Sequence, residues 1–219
     1  MKKVLFFAML VFVTGLLFSC TSDDPSDSAD KGNDIGNYKT VVIGTQRWMA
    51  ENLNYAVAGS KCYNNDPANC VKYGRLYDWA TAMNLPSSCN ENSCSGQIQA
   101  KHRGICPSGY HIPSYDDWDA LVDYIGGYET AGAKLKATSG WNENGNGTDQ
   151  YNFSALPGGY GGSDGSFFGV GNYGNWWSAG EYEYFSNCAY FRSMNYGSDG
   201  AYWGYNYKSY LQSVRCLQD

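Results

Sequence analysis

Apolar residues recur with two different periods along this chain, and the change of period marks its plan. Tyr38–Ile43 (Tyr-Lys-Thr-Val-Val-Ile) is β-branched and predicts a strand. Gln46–Tyr55 mixes apolar and polar residues without a clean period. Leu76, Trp79, Ala80 and Met83 then fall at i, i+3, i+4 and i+7, which predicts a helix over Tyr73–Met83. The best-marked element begins after Pro113. Ser114 stands as N-cap with Asp117 three residues on, and Asp116 and Asp117 meet the positive end of the helix dipole. Trp118, Leu121, Val122 and Ile125 share one face, and Gly126-Gly127 stop the helix. A short third helix is predicted over about residues 130–137.

Residues 140–180 change character: twelve of the 27 glycines lie there, among Asn, Asp and aromatic residues. So long a stretch without elements inside a compact domain signals function or hidden short strands. From its end onward, Trp176–Ala179, Ala189–Asn195, Ala201–Lys208 and Ser213–Leu217 read as the strands of a meander, with Gly197-Ser198-Asp199-Gly200 as a hairpin turn. Alternation puts Trp203, Tyr205 and Tyr207 on one face of a strand and Tyr202, Gly204 and Asn206 on the other. The class expected is α+β, with two or three helices packed on a late antiparallel sheet.

Composition narrows the function classes. The 219 residues hold 15 Lys+Arg against 21 Asp+Glu, a net charge of −6. That balance excludes nucleic acid as a partner, because a phosphate backbone demands a basic stripe. Aromatic residues make up 16% and charged residues only 16%, which is the reverse of a disordered chain.

The N-terminus reads as an export signal. Lys2 and Lys3 precede an apolar run, Val4–Phe18, broken at Thr14 and Gly15. It is shorter than the roughly 20 residues a spanning helix needs, and it suits a signal-peptide core. It ends Leu17-Phe18-Ser19-Cys20, which resembles the lipobox of bacterial lipoproteins, in which the cysteine becomes the lipidated first residue. The resemblance implies a signal peptide at residues 1–19 and a lipid anchor on Cys20. Removing residues 1–19 takes away two lysines and no acid, leaving 13 basic against 21 acidic residues, a net of −8. Residues 20–37, with five Asp and one Lys, read as a solvated tether. An acidic stretch after the lipidated cysteine also resembles the signal that sends some lipoproteins to the cell surface. The expected location is therefore the outer membrane, facing outward.

Cysteine usage agrees with export. Cys62 and Cys70 flank one polar loop and Cys89 and Cys94 another, so both pairs read as local staples. Cys106 and Cys216 are candidates to join the middle of the chain to its last strand, and Cys188 is left unpaired. Sequence alone leaves the connectivity open. The spacings are too irregular for zinc, with His102 and His111 the only histidines.

Six ordered motifs are familiar together. They are Ile43-Gly-Thr-Gln-Arg-Trp-Met-Ala-Glu-Asn-Leu-Asn-Tyr55, Tyr73-Gly-Arg-Leu-Tyr-Asp-Trp-Ala80, Gly104-Ile-Cys-Pro-Ser-Gly-Tyr-His-Ile-Pro-Ser-Tyr-Asp-Asp-Trp118, Phe153-Ser-Ala-Leu-Pro-Gly-Gly159, Trp176-Trp-Ser-Ala179 and Ser213-Val-Arg-Cys216. The chain resembles the Fibrobacter succinogenes major paralogous domain family over about residues 38–219. Members of that family are typically exported, often as lipoproteins. The segment Cys106–Trp118 is also similar to the start of a helix in sulfatase-modifying-factor and C-type-lectin-like domains. The resemblance implies a disulfide-stapled C-type-lectin-like fold, in which a Cys106–Cys216 bridge would fit. The Glu-Pro-Asn and Trp-Asn-Asp signatures of calcium-dependent sugar binding are absent; Asn175-Trp176-Trp177 is only an echo. Formylglycine-generating enzymes use a close pair of late cysteines, whereas only Cys188 stands here.

The richest functional signal is aromatic. Residues 176–210 hold Trp176, Trp177, Trp203, Tyr205, Tyr207 and eight further rings. A sheet core needs one face, so some of these rings are expected at the surface, where contiguous aromatics mark binding. Sugars stack their C–H faces on such rings, and Tyr hydroxyls and Asn amides bond their hydroxyls. The bland alternative is that the rings fill the core. Asn142, Glu143, Asn144, Asn146, Asp149, Asn152 and Asp164 supply oxygens that suit calcium, without the spacing of an EF-hand. Asn152 and Asp164 join the aromatics as candidate ligand contacts. No catalytic set emerges: the histidines lack partners, Asp116, Asp117, Asp119 and Asp123 read as helix-start and solvent-face charges, and Arg192 and Arg215 read as buried salt bridges. The reading is a lipid-anchored, non-catalytic binding module whose partner is a glycan. An adhesin that binds surface proteins is the alternative, and a formylglycine-generating-like oxidoreductase a remote third. No resident cofactor is expected, calcium aside.

Overall fold

The computed structural model describes residues 38–219. The expected signal peptide, the lipidated Cys20 and the acidic tether fall on residues 1–37, outside the described residues. The described architecture is α+β, with four helices and nine short strands named here in chain order. The strands are β1 (Thr40–Ile43), β2 (Gln46–Met49), β3 (Tyr110–His111), β4 (Tyr160–Gly161), β5 (Phe167–Phe168), β6 (Tyr173–Glu181), β7 (Cys188–Asn195), β8 (Tyr202–Tyr207) and β9 (Leu217–Gln218). The helices are α1 (Pro67–Tyr73), α2 (Trp79–Ala82), α3 (Tyr115–Tyr124) and α4 (Tyr128–Leu135).

Two antiparallel sheets result, one of order β1-β2-β9-β3 and one of order β6-β7-β8, with β4-β5 as a small hairpin. The last segment stitches the sheets together. Ser213 bridges Trp176 in parallel, while the amides of Met49 and Leu53 donate to the carbonyls of Cys216 and Val214. The meander and its turn at residues 197–200 stand where the alternation put them. The expected strand Ser213–Leu217 is mostly extended chain with single bridges, and regular pairing is confined to Leu217–Gln218.

Helix α3 forms as its caps dictate. Ser114 Oγ accepts from the Asp117 amide, and the Asp117 carboxylate accepts from the Ser114 amide. The third helix also forms, two residues earlier than expected. The helix expected over Tyr73–Met83 does not. Gly74 sits at φ +76, where a Cβ would come within 2.7 Å of Asn52 Cβ, and the chain turns there. Leu76 and Tyr77 make β-bridges to Lys61 and Gln212, and Asp78 caps a new, one-turn helix at Trp79. Their apolar spacing marks burial in a bent segment. Helix α1 arises inside the polar loop between Cys62 and Cys70, where Asp66 caps and Pro67 fits the first turn. In 140–180 the hidden strands are β4, β5 and the start of β6.

The core has two halves on either side of β6. Neighbouring Trp176 and Trp177 point to opposite faces. Trp176 packs with Trp48, Trp118 and Phe153 beneath α3, while Trp177 packs with Tyr77, Trp79 and the Cys106–Cys216 region. The three bridges are Cys62–Cys70, Cys89–Cys94 and Cys106–Cys216, and Cys188 is a buried free thiol.

Candidate functional site

The register of the meander gathers aromatic side chains on one face. Tyr190 of β7 pairs with Tyr205 of β8, Arg192 with Trp203, and Cys188 with Tyr207. Side chains alternate across a strand, so all six share a face. At one end α3 covers that face and buries Arg192. Beyond the helix the face is open. Tyr115, in the first turn of α3, touches Tyr190 and Trp203 at 5.2 and 5.9 Å between ring centroids. Tyr190 reaches Trp203 at 5.8 Å and Tyr182 at 5.3 Å. Tyr182 stacks on Tyr205, and Phe185 closes the row at 6.2 Å from Tyr205. Trp203, Tyr205 and Tyr207 are 50%, 46% and 53% exposed.

Two polar clusters hold this strip. Lys208, fully buried at the end of β8, donates to Glu181 at 2.6 Å and to the carbonyls of Cys89, Asn92 and Ser186. That ties β6, β8 and the turn carrying Phe185 to the Cys89–Cys94 staple. Burial opposes ionisation of Glu181, but Lys208, Ser93 and the Cys94 amide outweigh it and hold the carboxyl below its ordinary value. The Tyr190 hydroxyl donates to Glu183, and loss of solvent together with that carboxylate holds the phenol far above its ordinary value. Burial, then Asp119, raises Tyr115 likewise. Both hydroxyls stay protonated at physiological pH, with their hydrogens given to Glu183 and Asp119.

At the α3 end the strip opens into a cavity of about 480 Å³ lined by Tyr115, Asp119, Asp123, Tyr128, Tyr202 and Trp203. Tyr115, Asp119 and Asp123 follow at i, i+4 and i+8, so one stripe of α3 forms a wall. Arg192 of β7 also lines the cavity, 2% exposed, bonded to Asp119 and to the Ala201 carbonyl, with its Nε unpartnered.

The family model of the Fibrobacter succinogenes major domain matches residues 41–218. The chain belongs to that family. A search of curated proteins and a search of solved structures each return no match.

In this Fibrobacter succinogenes major domain the expected contact residues separate into three groups. Trp203, Tyr205 and Tyr207 stand on the open strip. Trp176 and Trp177 do not, which corrects the expectation that they contact ligand. Both are fully buried, because β6 is covered on both faces, and their indole N–H groups donate to Asn52 Oδ1 and the Tyr77 carbonyl. Asn152 and Asp164 are exposed but lie elsewhere. Asn152 lines a separate cleft of about 610 Å³ with Glu51, Asn54 and Lys72. Asp164 sits in the β4–β5 turn, where its carboxylate accepts from the amide and hydroxyl of Ser166.

Of the loop oxygens that suited calcium, those of Asn146, Asp149 and Asp164 accept hydrogen bonds within the loop's own turns. Glu143, Asn144, Asp149 and Asn152 have positive φ, and Asp149 accepts from the amide and hydroxyl of Ser154. Among the described residues, no three His, Cys, Asp or Glu side chains are placed to hold a metal ion. Arg192 makes the expected buried salt bridge, to Asp119. Arg215 does not: its guanidinium bonds the neutral oxygens of Asn52, Phe153 and Ser154 and lies 4.2 Å from the Phe153 ring centre. Burial pulls its pKa down to about 9. The residues that sequence reasoning missed are Tyr115 and Tyr128. The i, i+4, i+8 stripe on α3 carried the signal for the first. Tyr128 follows the Gly126-Gly127 turn and carried none.

Proposed function

We propose that this domain is a non-catalytic glycan-binding module of C-type-lectin-like fold, held at the cell surface by a lipid on Cys20. The observation that supports it best is the strip from Tyr115 through Trp203, Tyr190 and Tyr182 to Tyr205, five rings in mutual contact at the protein surface. Such rings offer apolar faces to the C–H faces of sugars, and Tyr hydroxyls at the surface meet sugar hydroxyls. The strip is preorganised by Lys208, which limits the ordering cost of binding. Three disulfides support an extracytoplasmic location.

A second reading has its own observation. Among the described residues β8 pairs only with β7, so its outer edge is open, and it exposes rings on both faces. An extended segment of another protein could add there as a strand. The oxidoreductase reading lacks its second thiol, since every other described cysteine is in a disulfide.

The test is a screen of the purified, oxidised protein against plant and microbial glycans, with calcium and then with a chelator. Saturable binding lost in Trp203→Ala or Tyr205→Ala supports the glycan reading, and the chelator arm reports on calcium. No binding to any glycan by a folded sample overturns it, and capture of a surface protein through β8 then becomes the working reading.

A further inference from the structure

The cavity between α3 and β8 differs from the rest of the strip in its charge. Its rings stand in two contacting pairs. Tyr115 and Trp203 are 5.9 Å apart at 68°, and Tyr128 and Tyr202 are 5.8 Å apart at 58°. Ring faces carry negative potential and attract cations within about 6 Å. Two carboxylates stand one helical turn apart in the same wall, Asp119 with 39% of its side chain exposed and Asp123 out in solvent. The single cation lining the cavity, Arg192 of β7, is 2% exposed and already committed to Asp119 and the Ala201 carbonyl, and its unpartnered Nε is shut off from solvent. What the cavity offers to solvent is therefore ring surface and negative charge. An acidic sugar is repelled there. A neutral one gains nothing from that charge. A protonated amine gains from the rings and from Asp123 together.

We infer that this cavity receives an ammonium group, so that the module prefers a glycan of free-amine hexosamine units over neutral or acidic polysaccharides. The inference rests on the glycan reading above, because the cavity continues directly into the aromatic strip through Trp203 and Tyr115.

The test titrates the oxidised protein, at mildly acidic pH where a hexosamine amine is protonated, with a glucosamine hexamer, its N-acetylated counterpart and cellohexaose. Tetramethylammonium, followed by Trp fluorescence, is a sugar-free cation probe. The glucosamine hexamer should bind about tenfold more tightly than the other two, or about 1.4 kcal/mol. Asp123→Asn should remove that preference and leave cellohexaose unchanged. Asp123 is the chosen site because Asp119→Asn would strand the buried Arg192. Equal binding of all three oligosaccharides, or a preference that survives Asp123→Asn, overturns the inference while the glycan reading stands. A response to tetramethylammonium, lost in Asp123→Asn, with no saccharide bound keeps the cation site and overturns the glycan reading. No response to any probe by a folded sample overturns both.

Discussion

Tyr182 lies flat on Tyr205, with ring centroids 4.0 Å apart and planes within 4° of parallel. One ring comes from the turn after β6 and the other from the middle of β8, so the stack clamps that turn against the outermost strand. Tyr205→Ala should weaken glycan binding by at least about tenfold. The loss of stability should be small, on the order of 0.5–1.5 kcal/mol, because Tyr205 is half exposed. Tyr205→Phe should keep both. Calorimetric titration and urea unfolding of the two variants check this. An alanine variant that binds normally would remove the strip from the site.

Lys208 is the strongest point of the same region. It is fully buried, with Glu181 2.6 Å away and only 9% exposed, over the face of Trp79 at 4.6 Å. Removing one member of a buried pair leaves the other charge unpaired, which costs about 3–5 kcal/mol. Lys208→Met should fall in that range by chemical denaturation. Lys208→Met combined with Glu181→Gln should recover part of the loss, since no lone charge then remains. A single variant within about 1 kcal/mol of the parent would show that the pair contributes little.

What was legible in the sequence was local. Ser114, Asp117 and Gly126-Gly127 define α3 within one stretch of chain, and β8 alternates by itself. The helix expected over Tyr73–Met83 failed because Leu76 and Tyr77 are buried by distant segments around Lys61 and Gln212. Spacing shows that such residues are buried and does not show against what. Trp176 and Trp177 make the same point for the site. Alternation sends them to opposite faces, yet only Trp118 on one side and Tyr77 on the other show that both faces are covered. The cavity was hidden for a further reason, because it joins the neighbouring helices α3 and α4 to β8, which lies far along the chain.

The three disulfides should differ in weight. Cys106–Cys216 closes 110 residues, and Cys62–Cys70 closes 8. In the chain-entropy picture the longer loop contributes about 5 kcal/mol and the shorter about 2.5 kcal/mol. Paired Cys→Ser variants at each site, compared by urea unfolding, should show the larger loss at Cys106–Cys216. That variant should also loosen β9 from β2 and β3, which proteolysis after Gln212 would report. Equal losses at the two sites would point to native-state contacts instead of loop closure.

His111 gives the fold a pH dependence whose sign follows from its neighbours. It is buried, with Nδ1 2.8 Å from Asp219 and Nε2 3.5 Å from Asp117. Burial disfavours its charged form, but the two carboxylates outweigh burial and raise its pKa above the ordinary 6.5. A raised histidine contributes fully below its unfolded value and loses that contribution as pH rises through its folded value. Asp117 is half-buried, which opposes its ionisation, yet His111 and Ser114 lower its pKa below the ordinary 3.8, so its contribution is present above that value and lost in acid. The link between α3, β3 and Asp219 is therefore strongest between those two ordinary values. In His111→Gln the decline in stability from about pH 6 to about pH 8 should flatten, while the acid decline carried by other carboxylates remains. Asp219 is half exposed, so solvent screens part of its share and the larger part falls to Asp117. Stability curves of parent and variant across that range decide it: a constant offset, independent of pH, would mean that His111 acts by packing and not by charge.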